Sequence, residues 1–177
     1  MTADLMKSEN IYLRSPEPSD AHRIMLWENN PENWQVTDTE IPFTFNGILE
    51  LIDSQRNFRS TGQLRLLICL NASDVSIGTV DLYDADFKNS NVAIGILIGE
   101  KTFRGLGYAK EALNLMVNYT KEVFNFDNIY CSIQANNKES ISLFEGSGFE
   151  QRGIRKNWFK TRNGKVDELL YQLCLEK

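Results

Sequence analysis

The sequence predicts an α+β domain with a mixed central sheet flanked by helices. Three observations carry this. Residues 92–98 form an apolar, β-branched run with the look of a buried strand. Behind it Ala109, Ala112, Leu113, Met116, Val117, Thr120, Val123 and Phe124 recur at helical spacing, the core-facing stripe of a long amphipathic helix. Then Ile129, Cys131 and Ile133 alternate with Tyr130, Ser132 and Gln134, a strand with one buried face.

The other elements follow along the chain. A short strand at 11–14 is ended by Ser15-Pro16-Glu17-Pro18, and Ser19 or Asp20 can cap a helix whose apolar face includes Ala21, Ile24 and Trp27. Asn29-Asn30-Pro31 stops it, and residues 32–43 read as an irregular loop dotted with acids. Thr44 can cap a second helix carrying Ile48, Leu51 and Ile52. Residues 64–70 and 76–83 read as a hairpin turning at 71–74, and 88–91 turn the chain into the strand at 92–98. A short helix runs from Asn137 to about Ser147, stopped by Gly148. Two last strands flank Asn163-Gly164, a strong hairpin signal. Strand, two helices, three strands, helix, strand, helix and two strands make one α+β domain, ordered over about 10–175 of 1–177.

Composition bounds the function. A chain of 177 residues fits one domain with a substantial core. Its 19 basic and 24 acidic residues give a net charge of −5, which argues against a nucleic-acid partner and mildly favours a cationic substrate. Residues 1–10 are polar, without the apolar core of a signal peptide, and no run approaches membrane-spanning length. The three cysteines, Cys69, Cys131 and Cys174, lie in separate strand-like stretches and read as reduced core residues of a cytoplasmic protein. The single histidine, His22, offers no partner for a nucleophile relay.

Chemistry concentrates where the strand at 92–98 gives way to the helix, in Phe103-Arg104-Gly105-Leu106-Gly107-Tyr108-Ala109-Lys110. The first N–H groups of a helix have no intrahelical partner, and glycines let a phosphate approach them. The plainer reading is a tight strand-to-helix connection. Two nucleotide motifs are excluded or fit poorly. No Gly-x-x-x-x-Gly-Lys-Ser/Thr string occurs, and a dinucleotide fingerprint would have Lys110 in its third glycine position, with Asp127 ahead of the next strand instead of at its end.

Arg104, Gly107 and Ala109 match the Gln/Arg-x-x-Gly-x-Gly/Ala motif that binds acyl-CoA in the GCN5-related N-acetyltransferase (GNAT) superfamily, and about thirty residues later Asn137, Ser140, Leu143, Phe144, Gly148 and Phe149 follow the superfamily's second signature. The chain resembles that superfamily, and within it the spermidine/diamine and RimJ/RimL-type branch. The resemblance implies a splay between two parallel central strands, 92–98 and 129–134, that admits the pantetheine arm of acetyl-CoA. It implies an acetyl-CoA-dependent N-acetyltransferase acting in a ternary complex on a small amine or a protein N-terminus, with no metal. The cofactor-binding set is then Leu97, Ile98, Gly99, Arg104, Gly105, Leu106, Gly107, Tyr108, Ala109, Lys110, Asn137 and Phe144. A backbone N–H near residues 97–99 would receive the thioester oxygen.

Phe144 stands where many relatives carry the tyrosine taken to protonate the CoA thiolate. Ser140, one helical turn earlier, is the candidate in its place, and water is the competitor. Asp81 and Asp84 on the hairpin strand and Asp38 and Glu40 in the loop are substrate candidates; alternation puts Asp81 on one face and Asp84 with Asp86 on the other. The missing tyrosine also leaves a second class open, a non-catalytic acyl-CoA sensor or interaction domain. A homo-oligomer is compatible with the sequence, which does not name the amine.

Overall fold

The computed structural model describes residues 5–34, 41–161 and 163–175. Seven strands form one sheet: β1 Ile11–Arg14, β2 Leu64–Leu70, β3 Ser76–Asp86, β4 Asn91–Ile98, β5 Asn128–Gln134, β6 Glu150–Thr161 and β7 Gly164–Cys174. Their order is β1-β2-β3-β4-β5-β7-β6, and only the central β4–β5 contact is parallel. The helices are α1 Ala21–Glu28, α2 Phe45–Ser54, α3 Phe58–Thr61, α4 Tyr108–Tyr119 and α5 Lys138–Glu145. Among the described residues no helix is long and apolar enough to cross a membrane.

Each strand sends alternate residues to opposite faces, so the sheet carries two cores. On one face Leu66, Ile68, Val80, Leu82, Val92 and Ile94 pack against Ala112, Leu113 and Met116 of α4. On the other, Leu67, Cys69 and Leu97 meet Ala21, Ile24 and Trp27 of α1 and Ile48 and Ile52 of α2. Thr44 caps α2 as expected, its hydroxyl accepting from the Gly47 N–H at 3.1 Å. Asn29 ends α1 with both ends of its amide on the Phe43 backbone, at 2.9 and 2.7 Å.

Three expectations are corrected. Asp20 does not cap α1: its carboxylate takes both terminal nitrogens of Arg14, at 2.7 and 2.8 Å, and the Glu17 N–H at 2.8 Å. The stripe of α4 does not run to Phe124 unbroken. The helix widens into a π turn at Thr120–Phe124, which shifts the buried face, and Val123 is left 39% exposed. Cys174, at the end of β7, is exposed, while Cys69 and Cys131 are buried.

β4 and β5 pair over three positions, Asn91↔Asn128, Val92↔Ile129 and Ala93↔Tyr130, and then part. Each is held on its far side, β4 by β3 and β5 by β7 along its whole length. The sheet is therefore two halves joined by one short parallel contact, with a gap opening toward the carboxyl ends of both strands.

Candidate active site

The glycine turn sits at the open end of this gap. Gly105 (φ 73°) and Gly107 (φ 89°) occupy the left-handed region, which costs an ordinary residue about 1–2 kcal/mol. Gly107 caps α4 without a side chain, and its carbonyl accepts from Lys110 and Glu111. The N–H groups of Tyr108 and Ala109 have no partner among the described residues. A Cβ built on Gly105 or Gly107 would meet nothing within 4 Å, so both glycines border open space in front of those amides. This arrangement fits a pyrophosphate. Arg104 does not face it. Its Nε donates to the Ile98 carbonyl and its Nη2 to Asn33 Oδ1, both at 2.9 Å, tying the end of β4 to the loop after α1. Leu106 is exposed, Tyr108 packs edge-on against Phe103, and Lys110 lies exposed on the first turn of α4.

Gly99 donates its N–H to the Ile77 carbonyl at 2.9 Å, so that amide is already engaged. The same bond fixes the phase of the β3–β4 ladder. Gly95 and Leu97 exchange bonds with β3, while the N–H groups of Ile96 and Ile98 point toward the gap. Of the three residues singled out as oxyanion donors, Ile98 has the right direction; Ile96 was missed because the sequence does not reveal ladder phase. Gly99 is constrained from outside the gap, since a Cβ there would lie 2.4 Å from the Trp27 ring.

A cavity of about 550 Å³ runs through the gap. On one side it is lined by Asn137, Ser140 and Phe144. Asn137 caps α5, its Oδ1 accepting from the Ser140 N–H at 3.1 Å, and both residues line the cavity. Phe144 is 4% exposed and packs edge-on against Phe149. On the other side Glu28, Arg65, Asp81, Tyr83, Trp158 and Glu168 line it.

Arg65 ties this second wall together. Its Nε and Nη2 take both oxygens of Asp81 at 2.7 and 3.0 Å, and its Nη1 takes Glu28 at 2.7 Å. Burial opposes its charge, but Asp81 and then Glu28, by proximity and by hydrogen bonding, raise its pKa overall. Glu168 is 4% exposed and pairs with Arg155 at 2.8 Å, whose guanidinium lies over the Trp158 ring. Burial pushes the Tyr83 hydroxyl and the Cys131 thiol each up to about 12, so both stay protonated at neutral pH.

Asp81 thus lies in the cavity wall, already bonded to Arg65. Asp84 is exposed on a left-handed residue at a strand irregularity, outside the lining, and Asp86 holds the Lys88 and Asn89 amides of the next turn. Asp38 and Glu40 fall outside the described residues. Glu28, Arg65 and Glu168 were not foreseen. Arg65 left a signal as the one charge of the otherwise apolar β2, and Glu28 follows Trp27 on the buried side of α1.

The acetyltransferase (GNAT) domain family matches residues 10–150 of the chain. The uncharacterized N-acetyltransferase p20 of Bacillus licheniformis is 24% identical over 172 residues, covering 96% of each chain. Among solved structures, spermidine N-acetyltransferase from Vibrio cholerae in complex with CoA and spermine superposes with a TM-score of 0.83 at 21% identity, covering 93% of this chain and 95% of that one. The ribosomal-protein-S5-alanine acetyltransferase from Vibrio fischeri gives 0.81 at 17% identity, covering 95% and 94%. At these identities the structures share the fold.

Proposed function

The chain belongs to the acetyltransferase (GNAT) domain family, with acetyl-CoA as its co-substrate, and on that premise we propose that it acetylates a primary amine of a small polycationic acceptor by direct attack. The observation that carries the choice of acceptor is the charge of the cavity wall: Glu28, Asp81 and Glu168 line it, met by the guanidinium of Arg65 and, on Glu168, by that of Arg155, which leaves one carboxylate charge in excess. A polyamine would supply the missing positive charge, and spermidine is the acceptor named for the Vibrio cholerae relative. A protein N-terminus, as for the ribosomal-protein acetyltransferase, is the second acceptor class.

In this reading the Tyr108 and Ala109 amides receive the pyrophosphate, and the pantetheine arm lies along Ile96 and Ile98, whose N–H groups face the gap. Asn137 borders the arm as well as capping α5. The acceptor enters from the carboxylate side. An alkyl ammonium with a pKa of about 10.4 first gives up a proton. Its nitrogen lone pair then bonds to the thioester carbon while an N–H of Ile96 or Ile98 stabilises the oxygen. The C–S bond breaks, the nitrogen sheds a second proton, and the thiolate takes one up. Acetyl-CoA and R–NH₃⁺ thus become R–NH–CO–CH₃, CoA–SH and one H⁺. An acetyl-enzyme on Cys131 is disfavoured, because burial keeps this cavity-lining side chain a neutral thiol.

Thiol release from acetyl-CoA over a panel of putrescine, spermidine, spermine, butylamine and an Ala-initiated peptide tests this reading. Spermidine or spermine should exceed butylamine at least tenfold in kcat/KM. Turnover of the peptide alone would move the assignment to N-termini, and acetyl-CoA binding without thiol release on any amine would reject catalysis on these acceptors.

Ser140 is assigned to the thiolate proton, and Phe144 sets the test. Phe144→Tyr adds a hydroxyl where relatives have a donor, and general acid help is worth ~10²–10⁴-fold where it is used. The gain in kcat should be modest in the native background and larger with Ser140→Ala, because two donors to one sulfur are redundant. Thermal melting is read first, since a hydroxyl at a 4% exposed ring position needs a partner. Full activity of Ser140→Ala with no change on Phe144→Tyr would assign the step to water.

A further inference from the structure

Thr79 is the one cavity-lining side chain with a buried polar atom left unbonded: its residue is 2% exposed and its Oγ1 has no hydrogen-bond partner among the described residues. A hydroxyl buried in that state destabilises the fold, so its position calls for a reason. Three registers place it. Thr79 stands on β3 directly opposite Leu97 of β4, whose two neighbours turn their N–H groups into the gap. Two residues along the same strand and on the same face is Asp81, opposite Gly95. Gly95 has no side chain of its own, and the Tyr83 ring borders that position, 3.5 Å from where a Cβ would stand, so the way from the edge of the gap to the Asp81 carboxylate runs beside this ring. Arg65 occupies Asp81 from the far side, on β2.

Resting on the amine-acceptor reading above, we propose that Thr79 Oγ1 accepts a hydrogen bond from the acceptor nitrogen and holds it at the mouth of the gap, with the Asp81 carboxylate as its second contact. A neutral primary amine has two N–H donors and one lone pair. Giving the donors to a hydroxyl oxygen and a carboxylate oxygen leaves the lone pair to face the thioester carbon, the orientation that attack requires. The carboxylate by itself would hold an ammonium without orienting it. Thr79 is therefore an acceptor-positioning residue, separate from the groups assigned to acetyl-CoA.

The test uses the full chain with spermidine, comparing Thr79→Val and Thr79→Ser. Valine keeps the shape and removes the hydroxyl, so its melting temperature should equal or exceed that of the native protein. Its kcat/KM for spermidine should fall at least tenfold while the Kd for acetyl-CoA, measured by calorimetry, stays within twofold. Serine restores the oxygen and should recover most of the activity. Native kinetics in Thr79→Val would overturn the proposal, as would a fall in melting temperature with activity lost equally in Thr79→Ser, which would mark a structural hydroxyl. Failure of the native protein to acetylate spermidine is a different result: it removes the polyamine acceptor, and this proposal with it, while the acetyl-CoA measurement still stands.

Discussion

Gly107→Val should lower acetyl-CoA affinity at least a hundredfold while leaving the sheet folded. Two effects add. At φ 89° a β-branched residue is strained, and relaxation toward negative φ would rotate the Tyr108 and Ala109 amides away from their common direction. The new side chain would also project into the open space in front of those amides, where the built Cβ meets no protein atom. A hundredfold loss corresponds to about 2.7 kcal/mol, within reach of one blocked charge-assisted contact. Gly107→Ala carries similar backbone strain with less bulk and should fall between. Gly164→Val is the control for strain alone: Gly164 is likewise at positive φ (117°) with open space around it, but in the β6–β7 turn. Calorimetric titration with acetyl-CoA should separate them, with Gly164→Val binding as the native chain does. Equal affinity of folded Gly107→Val and native protein would remove the pyrophosphate from this turn.

That turn was legible because its chemistry is local: two glycines, a strand before and an amphipathic helix after define it in a dozen residues. The same holds for Thr44 and Asn137, whose capping bonds span three residues each. The gap was legible only through the family resemblance, since strands that part after Ala93↔Tyr130 have no composition of their own. The acceptor wall was hardest. Glu28, Arg65 and Asp81 come from three elements, with Arg65 separated from its partners by 37 and 16 positions, and no local pattern announces such a meeting. What the sequence did contain was the phase. Arg65 shares its face of β2 with Leu67 and Cys69, and Glu28 follows Trp27 on the buried side of α1. Charges on inward phases are costly singly, so finding two of opposite sign is a reason to expect that they pair. Val123 failed for a different reason: a π turn is a register change that helical spacing cannot anticipate.

Arg65→Met should be the most destabilising single change at the acceptor wall. The Arg65 side chain is 15% exposed and those of Glu28 and Asp81 are 6% and 23%, so the three charges are held largely away from water. Methionine matches the aliphatic stem but leaves two carboxylates facing each other without the guanidinium between them. Removing one partner of a buried ion pair costs about 3–5 kcal/mol, because the remaining charge is stranded. For a chain of this size that is a fall in melting temperature on the order of 10 °C. Lysine would keep the charge but not the fork that meets both Asp81 oxygens, and should fall between. The loss should be strongly non-additive: Glu28→Gln and Asp81→Asn placed in the Arg65→Met background remove the stranded charges and should recover stability, although each is destabilising alone. Activity should not recover, since Asp81→Asn also removes the carboxylate proposed to hold the acceptor nitrogen. In the triple variant the melting temperature therefore recovers while activity stays low. A triple variant that regains both would show that the carboxylates serve Arg65 and the packing of α1, and that the acceptor is held elsewhere.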